Sequence, residues 1–313
     1  MCPKMRTVYV PSAVSSFFTF EGVGEDGSFI QPLQRVGAKG GGFKLVKGTH
    51  TSAELIESPE DEVLFDGRPI ANSTTHAVLN IVRRRTGSKG HFRVTHWVEV
   101  PIGAGFGTSA SASIGAAVAV LREIDFKGTF RLAGEIAHEA DLVSHTGLGT
   151  VGAIYASAGT GGLIVEPGGP GVCRVEAFME DFEKLSLIAV TFKSREKRPL
   201  LTSSDIIKRV NEVGTRTLER VMSNPSSVVM LRESRKFAVD AGLATPELDK
   251  VCSLMEEAGA LASAHNMIGE AAHCIAWRDD ARHVTKRLIE SYPAARLTVS
   301  KMTESSFKVQ ETP

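Results

Sequence analysis

The chain has 313 residues, 36 basic and 36 acidic side chains, and 42% hydrophobic residues. Neutrality removes the electrostatic basis for a general nucleic-acid or anionic-membrane partner, and no apolar run reaches the ~20 residues that span a bilayer. A chain longer than one usual core predicts two domains. The N-terminal stretch MCPKMRTVYVPSAVSSFF has basic residues without an apolar signal-type centre. Cys2, Cys173, Cys252 and Cys274 are scattered with no CxxC pair, so free thiols in a reducing cytoplasm are expected rather than a disulfide framework.

In chain order, residues 6 to 10 and roughly 43 to 66 read as short β-type runs broken by Gly, Pro and charge. NSTTHAVLNIVRRRTG predicts a helix capped by Asn72 or Ser73 and stopped by Gly87. HFRVTHWVEV alternates Phe92, Val94, His96, Val98 and Val100 on one face, as a strand does. A glycine-rich loop follows, then helices over about 109–123 and TFRLAGEIAHEADLVSH, then a second glycine-rich stretch. From about 185 the texture changes. LSLIAVTF reads as a buried strand, KSREKRPLLTSS as a basic connector, and helices are predicted at about 203–222, 226–241, 246–264 and 281–291. A glycine-containing segment, ASAHNMIGEAAHCIAW, interrupts the last two, and ARLTVSKM closes as a strand. The expected architecture is α+β, with one lobe over 1–185, a second over 186–313, and a ligand cleft between them.

The loop VPIGAGFGTSASASIGAAVAV, residues 100–120, carries the chemistry. It is not GxxxxGK[ST], since no lysine follows Gly107, and Gly103, Gly105 and Gly107 give GxGxG rather than GxGxxG. Backbone N–H groups of such a loop at a helix N-terminus favour an anion. Thr108, Ser109 and Ser111 add hydroxyls for phosphate oxygens or a metal. The residues alone leave two readings open: a phosphate cradle, or a tight strand-to-helix turn ahead of an alanine-packed helix. In EIAHEADLVSH, Leu142 stands where HExxH needs its second histidine, which rules against a zinc site. His138 and Asp141 are i,i+3 neighbours on one helix face.

PIGAGFGTSASASIGAA resembles the PxxxGLGSSAA motif of the GHMP kinase superfamily. VPSAVSSFF resembles that family's N-terminal substrate motif and ASAHNMIGEAAHCI its C-terminal glycine motif. GAKGGGF, AHEADLVSHTGLGT and GTGGLIVEPGGPG make the chain most similar to archaeal pantoate kinases. The resemblance implies a two-lobed fold and an ATP- and Mg²⁺-dependent kinase. Gly103, Ala104, Gly105, Phe106, Gly107, Thr108, Ser109 and Ala110 then surround the ATP phosphates, and Ser109 with Asp141 holds Mg²⁺. Ser12, His138 and Gly269 fall on the substrate side, and Thr150 stands at the catalytic position after TGLG.

The sequence departs from that pattern in three places: Thr150 replaces an Asp, Pro11-Ser12-Ala13 replaces PGH, and Glu166 follows GGLIV where an Arg is usual. A Glu there repels an acceptor carboxylate at close range. Lys193 and Arg195 offer either a solvated basic turn or an anion site for an acceptor that already bears phosphate. The expected acceptor is a small hydroxy acid with a primary hydroxyl, phosphorylated or not. Mevalonate 3-phosphate is the favoured form and pantoate the alternative. A nucleotide- or metabolite-binding sensor without turnover is the competing class, supported by Thr150. A monomer and a homodimer both fit the composition.

Overall fold

The computed structural model describes residues 6–24, 26–71, 73–156, 159–192, 204–267 and 269–311. Its elements in order are β1 (Arg6–Phe18), β2 (Gly40–Ile56), β3 (Glu62–Phe65), β4 (Arg68–Pro69), α1 (Thr74–Thr86), β5 (His91–Val98), α2 (Thr108–Glu123), α3 (Phe130–Val143) and α4 (Thr150–Tyr155). There follow β6 (Gly161–Glu166), β7 (Arg174–Ala177), β8 (Leu185–Thr191), α5 (Ser204–Ser223), α6 (Ser227–Asp240), α7 (Pro246–Glu257), β9 (Ala262–His265), β10 (Ala271–Trp277), α8 (Arg278–Ser291), β11 (Arg296–Ser300) and β12 (Lys308–Glu311).

Two sheets organise these elements. The first runs β12-β1-β2-β5-β3-β4, with β6 on the free stretch of β2 and β7 on β6. The second is the antiparallel set β11-β8-β10-β9. Three cores follow from the alternation of side chains. Val8, Val10, Phe92 and Val94 meet the apolar faces of α1 to α4. Ile188, Val190, Ala272 and Cys274 meet α7 and α8. Between these layers, Val14, Phe17 and Phe43 pack with Leu187, Ala189 and Ile275 and with Met230 and Phe237 of α6. Both faces of β8 are therefore buried, which is why LSLIAVT is a continuous apolar run rather than an alternating one.

Helix α2 owes its position to small residues. A Cβ on Gly115 would lie 2.4 Å from Thr51 Oγ1, so the helix approaches β2 more closely than any side chain permits. Thr49 Oγ1 and Ser111 Oγ then meet at 2.8 Å across the same contact. On α1 the cap is Ser73, and Gly87 closes the helix in the left-handed region at φ 75°.

Four boundaries differ from the sequence expectation. The run at 43–66 is mostly one long strand, β2. The VPSAVSSFF segment lies inside β1, where Pro11 sits at a break in register: Pro11 pairs with Gly48 but Ser12 pairs with Leu45. A proline cannot donate to the ladder, so it is accommodated at a bulge. The helix expected over 246–264 stops at Glu257, because Gly259 turns the chain at φ 102° and Ala262–His265 pairs with β10 instead. The segment expected to interrupt two helices is thus a β-hairpin, and α8 begins at Arg278, three residues earlier than expected. Finally, β12 returns from the C-terminal half to the edge of β1.

Candidate active site

The glycine loop lies where the two halves meet. Phe106, 1% exposed, is driven into the central core and anchors the loop; burial of such a ring is worth roughly 2–3 kcal/mol. Gly103, Gly105 and Gly107 on either side all have positive φ, at 76°, 78° and 60°, a conformation glycine adopts without the Cβ penalty. The bulge in β1 turns Ala13 towards the loop, so that Ala13 N–H donates to Phe106 O at 3.1 Å. A Cβ on Gly107 would meet Thr150 Cγ2 at 2.7 Å. The loop, the middle of β1 and the start of α4 are therefore one packed unit, and it brings Thr150 beside the loop. From the C-terminal half, a Cβ on Gly269 would lie 2.4 Å from the Ala104 carbonyl carbon.

Gly107 is also the residue before α2, so the first-turn N–H groups of Thr108, Ser109 and Ala110 have no helical acceptor and face the loop end. Ser109 Oγ donates to Asp141 Oδ1 of α3. Thr146 Oγ1 lies 2.8 Å from Ser109 Oγ and donates to Asp141 Oδ1 at 2.5 Å. Thr74, the first residue of α1, adds a fourth oxygen 3.1 Å from Thr146 Oγ1. Asp141 is 2% exposed. A Cβ on Gly147 would lie 2.3 Å from its Oδ2, so the turn after α3 closes onto the carboxylate only because that residue is glycine.

This donor set suits Mg²⁺. Its members are all hard oxygens, one of them a buried carboxylate, and Mg²⁺ is held by one or two carboxylates together with substrate phosphates. Among the described residues no group of three or more His, Cys, Asp or Glu side chains is arranged to hold a metal ion.

The remaining expected residues fall as follows. Ser12 is fully buried in β1, and among the described residues its Oγ has no hydrogen-bond partner. His138, expected on the substrate side, lies at the contact of α3 with the turns at Leu33 and Gly169. It is 1% exposed, its Nε2 lies 3.3 Å from Leu33 O, and a Cβ on Gly169 would touch its ring at 2.7 Å. Burial, opposed by contacts to the Leu33 and Val36 carbonyls and by Glu139, holds its imidazole below the ordinary range. His138 is a brace between α3 and two turns. Glu135 and Glu139 are ion-paired, with Arg131 and with Arg84 and Arg85, but their side chains are 22% and 13% exposed, so they are part-buried rather than solvated. Glu166 pairs with Arg174 at 3.1 Å, both more than half exposed. Lys193 and Arg195 lie outside the described residues.

Sequence reading missed Thr146 and Thr74. A hydroxyl five residues beyond Asp141 in HTGLGT was a signal for the first; only the fold brings α1 to the second. It also missed a buried chain behind the loop. Asn266 Nδ2 donates to Ala104 O at 2.9 Å, Asn266 Oδ1 lies 2.7 Å from His273 Nδ1, and His273 Nε2 lies 3.0 Å from Ser16 Oγ.

Residues 73–158 match the family model described as the GHMP kinases N terminal domain. The chain is similar to the pantoate kinase of Thermococcus kodakarensis, at 26% identity over 287 residues and 90% of each chain. It is also similar to that of Methanocaldococcus jannaschii, at 24% over 260 residues, 82% of this chain and 90% of the relative. Among solved structures, one titled a phosphotransferase related to CoA biosynthesis pathway superposes with a TM-score of 0.82 at 24% identity, over 98% of this chain and 99% of its own. The chain thus carries a match to the GHMP kinases N terminal domain over residues 73–158. It is a phosphotransferase with a hydroxyl acceptor, and ATP with Mg²⁺ is its donor.

Proposed function

We propose that this kinase transfers the γ-phosphoryl group of ATP to the primary hydroxyl of a branched hydroxy acid, with pantoate the favoured acceptor. The observation that carries the reading is the oxygen cluster of Ser109, Asp141 and Thr146, set at the first turn of α2 directly behind an open glycine loop. The acceptor class is supported by the pantoate kinases that the chain resembles over most of its length. Mevalonate 3-phosphate is the weaker reading. One of its two supports, Glu166, is an exposed residue paired with Arg174, and the other, the basic connector, lies outside the described residues.

The division of labour follows the fold. Residues 1–185 supply the loop, α2 and α3, and residues 186–313 supply the hairpin turn that closes on the loop. Loop and first-turn N–H groups bind the phosphate oxygens, helped by the positive end of α2. Asp141, with Ser109 and Thr146, would hold Mg²⁺, which when bound would supply positive charge beside the phosphates. Thr150 cannot serve as a carboxylate base. The loose transition state of phosphoryl transfer depends on alignment and electrostatics, so Thr150 leaves alignment as the main contribution at that position.

Phosphorus NMR of the product tests this. Incubation with ATP, Mg²⁺ and pantoate should give a phosphate monoester resonance split by the two hydrogens of one CH₂. Absence of any acceptor-dependent monoester rejects the reading.

A further inference from the structure

The loop is not held by its own half alone. Four features converge on the peptide between Ala104 and Gly105. Asn266 donates to the Ala104 carbonyl at 2.9 Å. A Cβ on Gly105 would lie 2.8 Å from Asn266 Cβ. Gly269 packs on the Ala104 carbonyl too closely for any side chain. Behind Asn266 stand His273 on β10 and Ser16 on β1, both fully buried.

Hydrogen-bond capacity fixes the direction of every link. Ala104 O only accepts, so Asn266 must present Nδ2 to it and Oδ1 to His273. His273 must then carry its proton on Nδ1, leaving Nε2 to accept from the Ser16 hydroxyl. Burial keeps this imidazole neutral, with its pKa pushed down to about 3. A reversed amide would set Asn266 Oδ1 against the Ala104 oxygen, a repulsion of two acceptors. In a trans peptide the C=O and the following N–H point in opposite directions. Capturing the Ala104 carbonyl from behind therefore turns the Gly105 N–H the other way, away from Asn266.

We propose that Asn266 and His273 are positioning residues of the phosphate-donor site: they orient the Ala104–Gly105 peptide from the C-terminal half so that the loop presents an N–H, not a carbonyl, to ATP. This deepens the kinase reading and rests on it. The chain runs from β1 through β10 to the loop, so the same contacts also tie the two sheets to the donor site.

The test is direct titration of the full-length protein with Mg²⁺-ATP, alongside steady-state kinetics. Two substitutions at 273 separate positioning from packing: His273→Phe preserves ring volume beside Phe43, whose ring centroid is 6.3 Å away, but removes the donor to Asn266. His273→Gln keeps a donor. His273→Phe should weaken ATP binding at least fivefold with an acceptor KM within twofold of wild type, and His273→Gln should restore ATP affinity to within twofold. Asn266→Asp, which puts a carboxylate oxygen against the Ala104 carbonyl, should weaken ATP at least tenfold. Equal ATP affinity in the two 273 variants overturns the proposal even if Asn266→Asp does not fold. Wild-type protein that binds no ATP instead refutes the kinase reading, and the inference with it.

Discussion

Substituting Gly107 by alanine probes the packed unit that carries the site. The residue is left-handed at φ 60° and ψ 28°, a conformation that an alanine adopts at about 1–2 kcal/mol. Its Cβ would stand 2.7 Å from Thr150 Cγ2 and 3.1 Å from Ala13 O, where ordinary contacts begin at 3.4 Å. Overpacking of this kind costs about 1–3 kcal/mol, and the stiffer unfolded chain returns about 0.4–1 kcal/mol. The net destabilisation is about 1–4.6 kcal/mol. Thr150→Ser removes the methyl group in the way and keeps the hydroxyl. The double variant should therefore recover about 1–2 kcal/mol, leaving the backbone term, a coupling that a double-mutant cycle isolates. Urea unfolding of the four proteins measures the stabilities, and KM for ATP reports the loop. Gly107→Ala within 0.5 kcal/mol of wild type (about the scatter of an ordinary surface change), or no recovery in the double variant, refutes the geometry described for the loop.

Three further outcomes are expected. Asp141→Asn keeps the shape and an acceptor for Ser109 but loses the charge; kcat/KM should fall by roughly 10²–10³, the scale of losing one preorganised electrostatic group, with an unchanged far-UV spectrum and a weakened Mg²⁺ requirement curve. Gly269→Ala forces its Cβ onto the Ala104 carbonyl, so KM for ATP should rise about tenfold or more while KM for the acceptor changes little, as steady-state kinetics with each substrate varied will show. Acid should destabilise the fold through His96, His265 and His273, whose pKa values burial lowers to about 3, about 4 and about 3. The unfolded chain takes up these protons near pH 6.5 and the folded one does not. Stability is thus full above about 6.5 and declines as pH falls towards 3–4, by about 1.4 kcal/mol per pH unit for each histidine; equilibrium unfolding against pH measures the slope.

Much of this site was legible in the sequence because its signals are local. The spacing of Gly103, Gly105 and Gly107 ahead of a run of Ser and Ala reports positive φ and a helix start within a few residues, and His138 and Asp141 share a helix by count alone. The alternation in HFRVTHWV and the continuous run in LSLIAVT gave two strands with near-correct ends. What was not legible depends on pairing across the chain. The end of α7 was overrun because Leu261–His265 has no strand signal until β10 lies beside it. His138 shares Asp141's helix face in projection, but Leu33, Val36 and Gly169 occupy it in the fold. The Asn266–His273–Ser16 chain joins residues up to 257 positions apart, which no window on the sequence contains.

The most direct test of the central claim is coupled ATP turnover with pantoate, mevalonate, mevalonate 3-phosphate and mevalonate 5-phosphate side by side, each with and without Mg²⁺. Mg²⁺-dependent ADP release with pantoate above the acceptor-free rate, and little with the others, is the expected result. Turnover confined to a phosphorylated acceptor contradicts the assigned substrate, and no acceptor-stimulated turnover at all contradicts the enzyme.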